Sequence, residues 1–260
     1  MGIPEIAVFT FDDIDIQSTA NITVTGTRAL AFLSHGNVMI DTTIDLSGES
    51  VLAPAMFGDP APAGVGRGGG FNGGFSAFGL PPEDGEGPGG GSGATLVGNS
   101  AGFGGPGYRL TQPDGGPAYG DLVGGPLQGG SGGGSVENAA LGGAAGGGAL
   151  EISALGGVTL GASGNLIAAG GTTEVLFATV DLGGGAGSGG GIRIQGQSVD
   201  LLGSVDARAY FAAFPASAIS KGGGGRVSVL GLNQLFNFVV GQTSTSSINT
   251  SNINVVSRRS

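Results

Sequence analysis

Short apolar runs with alternating polar positions recur in a fixed order along this chain. Ala29-Leu30-Ala31-Phe32 is followed by Val38-Met39-Ile40 and then by Ile44-Asp45-Leu46-Ser47-Gly48. The same order returns as Gly148-Ala149-Leu150-Glu151-Ile152, Val158-Thr159-Leu160 and Leu166-Ile167-Ala168-Ala169-Gly170. It returns again as Gly191-Ile192-Arg193-Ile194, Val199-Asp200-Leu201 and Val205-Asp206-Ala207. A partial copy opens at Gly225-Arg226-Val227-Ser228-Val229. Period-two alternation rich in β-branched residues predicts strands. Near the start, Ile6-Ala7-Val8-Phe9-Thr10-Phe11, Ile14-Asp15-Ile16 and Ile22-Thr23-Val24-Thr25 read the same way. Within residues 5–57, no window offers helical spacing without an intruding glycine, which costs about 1 kcal/mol in a helix.

Superposing the copies predicts which side chains stack. Leu30/Phe32, Leu150/Ile152, Ile192/Ile194 and Val227/Val229 share one side, as do Val38/Ile40, Val158/Leu160 and Val199/Leu201. The opposite side carries Ala31, Glu151, Arg193 and Ser228, with Met39, Thr159 and Asp200 as a second outward set. A uniformly apolar inside with a varied outside is what stacked coils require, because each coil buries its apolar face on its neighbours. The expected fold is all-β, a single-stranded right-handed parallel β-helix with long glycine-rich excursions. One register test follows: Glu151 and Arg193 lie about 5 Å apart as an exposed cross-strand pair. The superposition also sets Thr23 level with Met39, Thr159 and Asp200, which denies the chain a threonine array for ice binding. A β-sandwich is the alternative fold. It needs hairpins, and Asn72-Gly73 and Asp114-Gly115 lie outside the repeat.

Composition divides the 260 residues into stretches. Residues 1–57 carry the first coils and 149–240 the later ones, with 241–260 a polar terminal strand or extension. Between them, 58–148 holds more than half of the 60 glycines and most of the 12 prolines. Its aromatic and aliphatic residues, among them Phe71, Phe75, Phe103, Tyr108, Tyr119 and Leu127, distinguish it from a flexible linker. It is expected to be an ordered, mostly irregular loop packed by its own aromatics, with some extended polyglycine strands. Gly183–Gly191 and Gly222–Gly225 are shorter excursions. A hydrophobic share of 39% against 11% charged residues argues against disorder. Collagen is excluded by the lack of a Gly-X-Y period.

Arg28-Ala29-Leu30-Ala31-Phe32-Leu33 with its two following strands resembles a coil of glycine-rich bacterial surface proteins built on a right-handed parallel β-helix. The stretches Gly120-Asp121-Leu122 through Gly134 and Gly187-Ser188-Gly189-Gly190-Gly191-Ile192-Arg193-Ile194 are similar. The resemblance spans roughly residues 10–230 and rests on pattern. It implies a secreted or cell-surface protein, hence an extracellular or cell-surface location. The start of the chain reads neither as a signal peptide nor as a myristoylation site, so a piece of a longer or processed protein is expected.

Charge and residue types narrow the chemistry. The net charge is −10 and Lys221 is the sole lysine, which speaks against a nucleic-acid partner. No apolar run reaches the roughly 18 residues of a membrane-spanning helix. Cysteine is absent and His35 is the one histidine, so neither a thiolate site nor a His-based metal site is offered. Carboxylates remain as the enzymatic candidates, since glycoside hydrolysis needs a facing pair. Asp12, Asp13 and Asp15 form the densest group, with Asp41/Asp45 and Asp200/Asp206 on strands or turns. Solvated positions and turn caps are the competing reading. Glu83, Asp84 and Glu86 are candidate Ca²⁺ ligands in one acidic loop. No catalytic residue and no other cofactor is expected. The preferred function is a non-enzymatic extracellular structural or adhesive protein, associating with itself into a fibre or with surface glycans. The alternatives are a carbohydrate-active enzyme or tail-spike-like depolymerase, and a glycan-binding module.

Overall fold

Every described strand belongs to a sheet that gathers segments far apart in sequence. The computed structural model describes residues 5–52, 62–77, 79–95, 97–109, 115–121, 125–137, 141–174, 183–209, 211–212, 220–231, 234–239, 248–249 and 253–255. Among them the fold is all-β, with no helix. The first sheet runs Ile6–Phe11, Ala29–Ser34, Ala149–Ala154, Gly191–Gln195, Arg226–Gly231, all parallel. The second runs Ile14–Ile16, Val38–Ile40, Val158–Leu160, Val199–Leu201, and the third Thr43–Asp45, Asn165–Ile167, Ser204–Asp206, again parallel. The three middle passes thus give one strand to each sheet in turn, while the first contributes to two sheets and Arg226–Gly231 to the first sheet alone.

The register matches the superposed copies. Leu30 pairs with Leu150, Leu150 with Ile192 and Ile192 with Val227, while Val38, Val158 and Val199 pair in series. These side chains form one buried cluster that includes Ile44, Leu46, Leu166 and Val205. Burying a Leu, Ile or Val here contributes roughly 1.5–3 kcal/mol. Arg193 stands opposite Glu151 and its Nη1 donates to Oε2 at 3.2 Å. The pair is not exposed, however: the two side chains keep only 16% and 18% of their accessible surface. Arg193 Nη2 also donates to the Gly125 carbonyl, because the long insertion folds back over the outer face of the first sheet. Ala31 and Ser228 are buried in the same row. Leu127 packs on Ala29 and Ala149, where a larger outward residue would leave it no room.

Two expectations need correction. Ile22-Thr23-Val24-Thr25 is not a strand, and the residue level with Met39 is Asp15, not Thr23. Ile22 and Val24 instead turn against the exposed end of the core. The insertion is also not held mainly by its own aromatics. Phe103 is fully buried and meets Tyr119 edge-on at 4.8 Å, but Phe75 keeps 44% of its surface exposed. Of the extension beyond 240, Ile248–Asn249 and Ile253–Val255 are edge strands.

Backbone hydrogen bonds with a period of three hold the glycine runs. The Gly130 and Gly133 amides donate to Gly147 and Ala144. Those of Gly132 and Ser135 donate to Glu86 and Glu83. The Ser131 and Gly134 carbonyls accept from Ser188 and Gly185. Three neighbours are each met at every third residue. That is the screw of polyproline II, which makes no internal hydrogen bonds and turns its polar groups outward in three directions. A strand of period two serves only two neighbours. The same step recurs where Gly143 and Gly146 donate to Gly74 and Phe71, and where Gly98 and Ala101 donate to Gly183 and Ala186. The bundle joins the sheets in the same way, with Ala145 and Gly148 donating to Glu49 and Leu46. Gly183–Gly191 is therefore part of this bundle and not a separate excursion.

Such packing admits no side chain at the contacts. A Cβ on Gly143 would lie 1.8 Å from the Gly133 carbonyl oxygen, and one on Gly146 1.9 Å from that of Gly130. Gly143→Ala is expected to lower the urea-unfolding free energy by about 3 kcal/mol or more, since backbone cannot move aside as a flexible side chain does. Gly79→Ala meets open space and pays only for its positive φ, about 1 kcal/mol. Equal losses would contradict the bundle.

Candidate functional site

Of the carboxylates that sequence singles out, Asp15, Asp45, Asp200 and Asp206 lie on strands and Asp12, Asp13 and Asp41 at the turns between them, and most hold the chain in place. Asp13 Oδ1 accepts the Asn37 amide at 2.7 Å, Asp41 Oδ1 the Ser163 amide at 2.9 Å, and Asp45 Oδ1 the Ser47 amide at 2.8 Å. The first two bonds cross from one pass to the next, which explains why acidic residues stand at these corners. Asp15 accepts from Gln17. Asp206 is buried and bound by Arg208 through Nε and Nη2. Asp200 lies outward beside Thr159. Asp12 and His35 approach to 3.8 Å with both side chains largely in solvent. Ser34 gives its hydroxyl to the Asp12 carbonyl, so it is a turn brace and not a partner for His35.

Glu83, Asp84 and Glu86 lie at the rim of the bundle. Asp84 Oδ1 accepts the Gly93 amide at 2.8 Å, and Glu86 Oε2 accepts from Asn72 Nδ2 at 3.1 Å. The third residue contributes backbone: Glu83 exchanges hydrogen bonds with Ser135. Among the described residues, no three His, Cys, Asp or Glu side chains stand close enough to hold a metal ion together. The side chain of Lys221 lies outside the described set.

Two local arrangements were not legible in the sequence. The first centres on Tyr119, whose hydroxyl donates to the Gly129 carbonyl at 2.7 Å and accepts from Ser131 Oγ at 2.8 Å. Ser131 Oγ also accepts the Gly89 amide, so Tyr119 is tied to the 129–136 run and, through Ser131, to Gly89. Burial of the hydroxyl raises its pKa well above the ordinary tyrosine value, and the Ser131 hydrogen bond opposes that only in part. The second is a half-open groove of about 580 Å³ at the start of the first sheet. Its walls are Ala7, Phe9, Leu30 and Phe32 on one side and the Ile22–Arg28 segment on the other. It exists because Ala7 is the small member of a ladder that continues with Leu30, Leu150 and Ile192. An alanine aligned with three large aliphatics was the one signal that marked it.

Comparisons with protein-family models, with curated proteins and with solved structures each find no match for this chain. Among the described residues, no helix is long and apolar enough to cross a membrane.

Tyr119 makes stability depend on alkaline pH. The folded chain keeps its proton where the unfolded chain, with a pKa of about 10, releases it. The unfolded state then binds fewer protons, so the slope of unfolding free energy against pH is negative. The contribution is full below about pH 10 and declines as pH climbs toward the raised folded value. Thermal melts between about pH 8 and 11.5 are expected to show this fall in wild type and a flatter limb in Tyr119→Phe. Identical limbs would contradict the assignment.

Proposed function

We infer that the chain is a right-handed parallel β-helix carrying a polyglycine bundle, and that it serves as a non-enzymatic structural or adhesive element at or outside the cell surface. Parallel strands in each sheet and a chain that visits the sheets in rotation support the coil. The near-universal hand of parallel crossovers supports a right-handed one. The observation that carries the functional reading is where the carboxylates go. Asp13, Asp41, Asp45 and Asp84 accept backbone amides and Asp206 is bound to Arg208, which leaves no facing pair of free carboxyl groups among them. Location follows the pattern resemblance alone.

Recognition falls to the rim of the bundle. Rigid scaffolds display binding groups on exposed loops, and Val65, Phe75 and Leu80 stand exposed on the same insertion as Glu83, Asp84 and Glu86. Surface glycans suit such a rim, with Phe75 as a stacking platform. Further copies of the chain are the second partner class, through the ends of the coil.

A glycan array probed with the full chain, alongside a reducing-end assay on neutral and acidic polysaccharides, tests this reading. The expected result is retention on at least one glycan, weakened about tenfold by Phe75→Ala, with no new reducing ends; tenfold corresponds to about 1.4 kcal/mol. Release of reducing ends would replace the adhesive reading with a carbohydrate-active enzyme.

A further inference from the structure

The two ends of the sheet stack are finished differently. At the late end all three sheets close with an antiparallel strand: Gln234–Val239 on the first, Ile253–Val255 on the second and Ile248–Asn249 on the third. At the early end the first sheet stops at Ile6–Phe11, with no strand of the described residues on its outer side. Ile6, Val8, Phe9 and Phe11 are exposed by 39%, 53%, 48% and 43%. The strand holds no charge, proline or glycine between Glu5 and Asp12. Sheet edges are ordinarily guarded by lysine, proline, a bulge or a cover, and an unguarded apolar edge is a template for another strand.

Backbone direction says which groups are free. The Ala29 amide donates to the Glu5 carbonyl, and the His35 amide to that of Phe11. Polar groups alternate along a strand. Odd-numbered residues therefore face Ala29–Ser34, and Ile6, Val8 and Thr10 turn their N–H and C=O outward.

We propose that this edge pairs with the same edge of a second copy, antiparallel about a two-fold axis through Val8. The proposal deepens the self-association part of the reading above and rests on it. Val8 then faces Val8 of the other copy, and Ile6 faces Thr10. All three outward-facing residues find partners, giving about six backbone hydrogen bonds. The side chains are self-complementary in this register. Ala7 and Phe9 lie opposite one another twice, so each exposed phenyl ring meets the other copy's small alanine at the mouth of the groove. The seam is uncharged, and Glu5 falls opposite Phe11, not opposite the other copy's Asp12. A two-fold contact of this kind is closed: it yields a dimer and leaves the capped late ends pointing outward.

The chain has no cysteine, so one introduced thiol reports the register. In the proposed pairing the two Val8 Cα atoms stand about 5.5 Å apart, within the roughly 4.4–6.8 Å that a disulfide spans. Val8→Cys is expected to form a covalent dimer on mild oxidation. Ile6→Cys is expected not to, and Ile6→Cys with Thr10→Cys to do so. Light scattering of the unaltered chain is expected to give twice 24.9 kDa. Val8→Lys is expected to give one copy that still unfolds cooperatively, with a melt lowered only by what the dimer adds and no longer dependent on protein concentration. A monomer at every concentration overturns both the seam and self-association, and favours a strand of another protein on this edge. A larger mass with no crosslink in the Val8→Cys variant, or a Val8→Lys variant that stays dimeric, overturns the seam and leaves self-association standing.

Discussion

A backbone amide buried away from water must find an acceptor, and the glycine runs offer no side chain to help. Their solution is one repeated contact, an N–H to C=O bond between neighbouring chains taken at every third residue. Residues 129–136, 141–150 and 183–192 are buried throughout although most carry no side chain beyond Cα. Each bond contributes only about 1 kcal/mol net, while each glycine loses more backbone entropy on ordering than any other residue. The bundle is thus stable only as a whole, with each chain supplying acceptors to several others. That cooperativity lets a long insertion stand between the second and third passes of the chain without disturbing register. Ala145 and Gly148 bind Glu49 and Leu46, and two residues later Leu150 lies beside Leu30.

The parallel sheets and their register were readable because their physics is local and binary. Leu30, Leu150, Ile192 and Val227 all repeat the same inside-outside alternation, and superposition alone placed Glu151 beside Arg193. The bundle was not readable in the same way, because glycine records that a side chain is forbidden but not which neighbour forbids it. Gly143 is excluded from being alanine by Gly133, a contact that no spacing encodes. The exposure of outward positions failed for a related reason. Glu151 and Arg193 look like solvent-facing residues until Gly125 is brought over the sheet and Leu127 packs beside them on Ala29 and Ala149. Thr23 was misplaced because Ile22 and Val24 alternate like a strand while capping the core end.

The candidate chemistry divides along the same line. Acidic residues at the corners were visible as candidates, but their assignment depended on partners elsewhere in the chain: Asn37 for Asp13, Ser163 for Asp41 and Gly93 for Asp84. Among the described residues, Asp13, Asp41, Asp45 and Asp84 hold backbone amides, and several large apolar side chains stand exposed. The bundle rim at Phe75 and Leu80 and the unguarded edge at Val8 and Phe9 are two such places. They lie on rigid supports of different kinds, one a glycine lattice and the other the end of a sheet.

Amide hydrogen exchange tests the period-three bundle most directly. The Gly130, Gly133, Gly143 and Gly146 amides should exchange as slowly as those of Ile152 and Ile194, because bundle and sheets open together. Glycine amides exchanging at the rate of an unstructured chain, while the sheet amides stay protected, would contradict it.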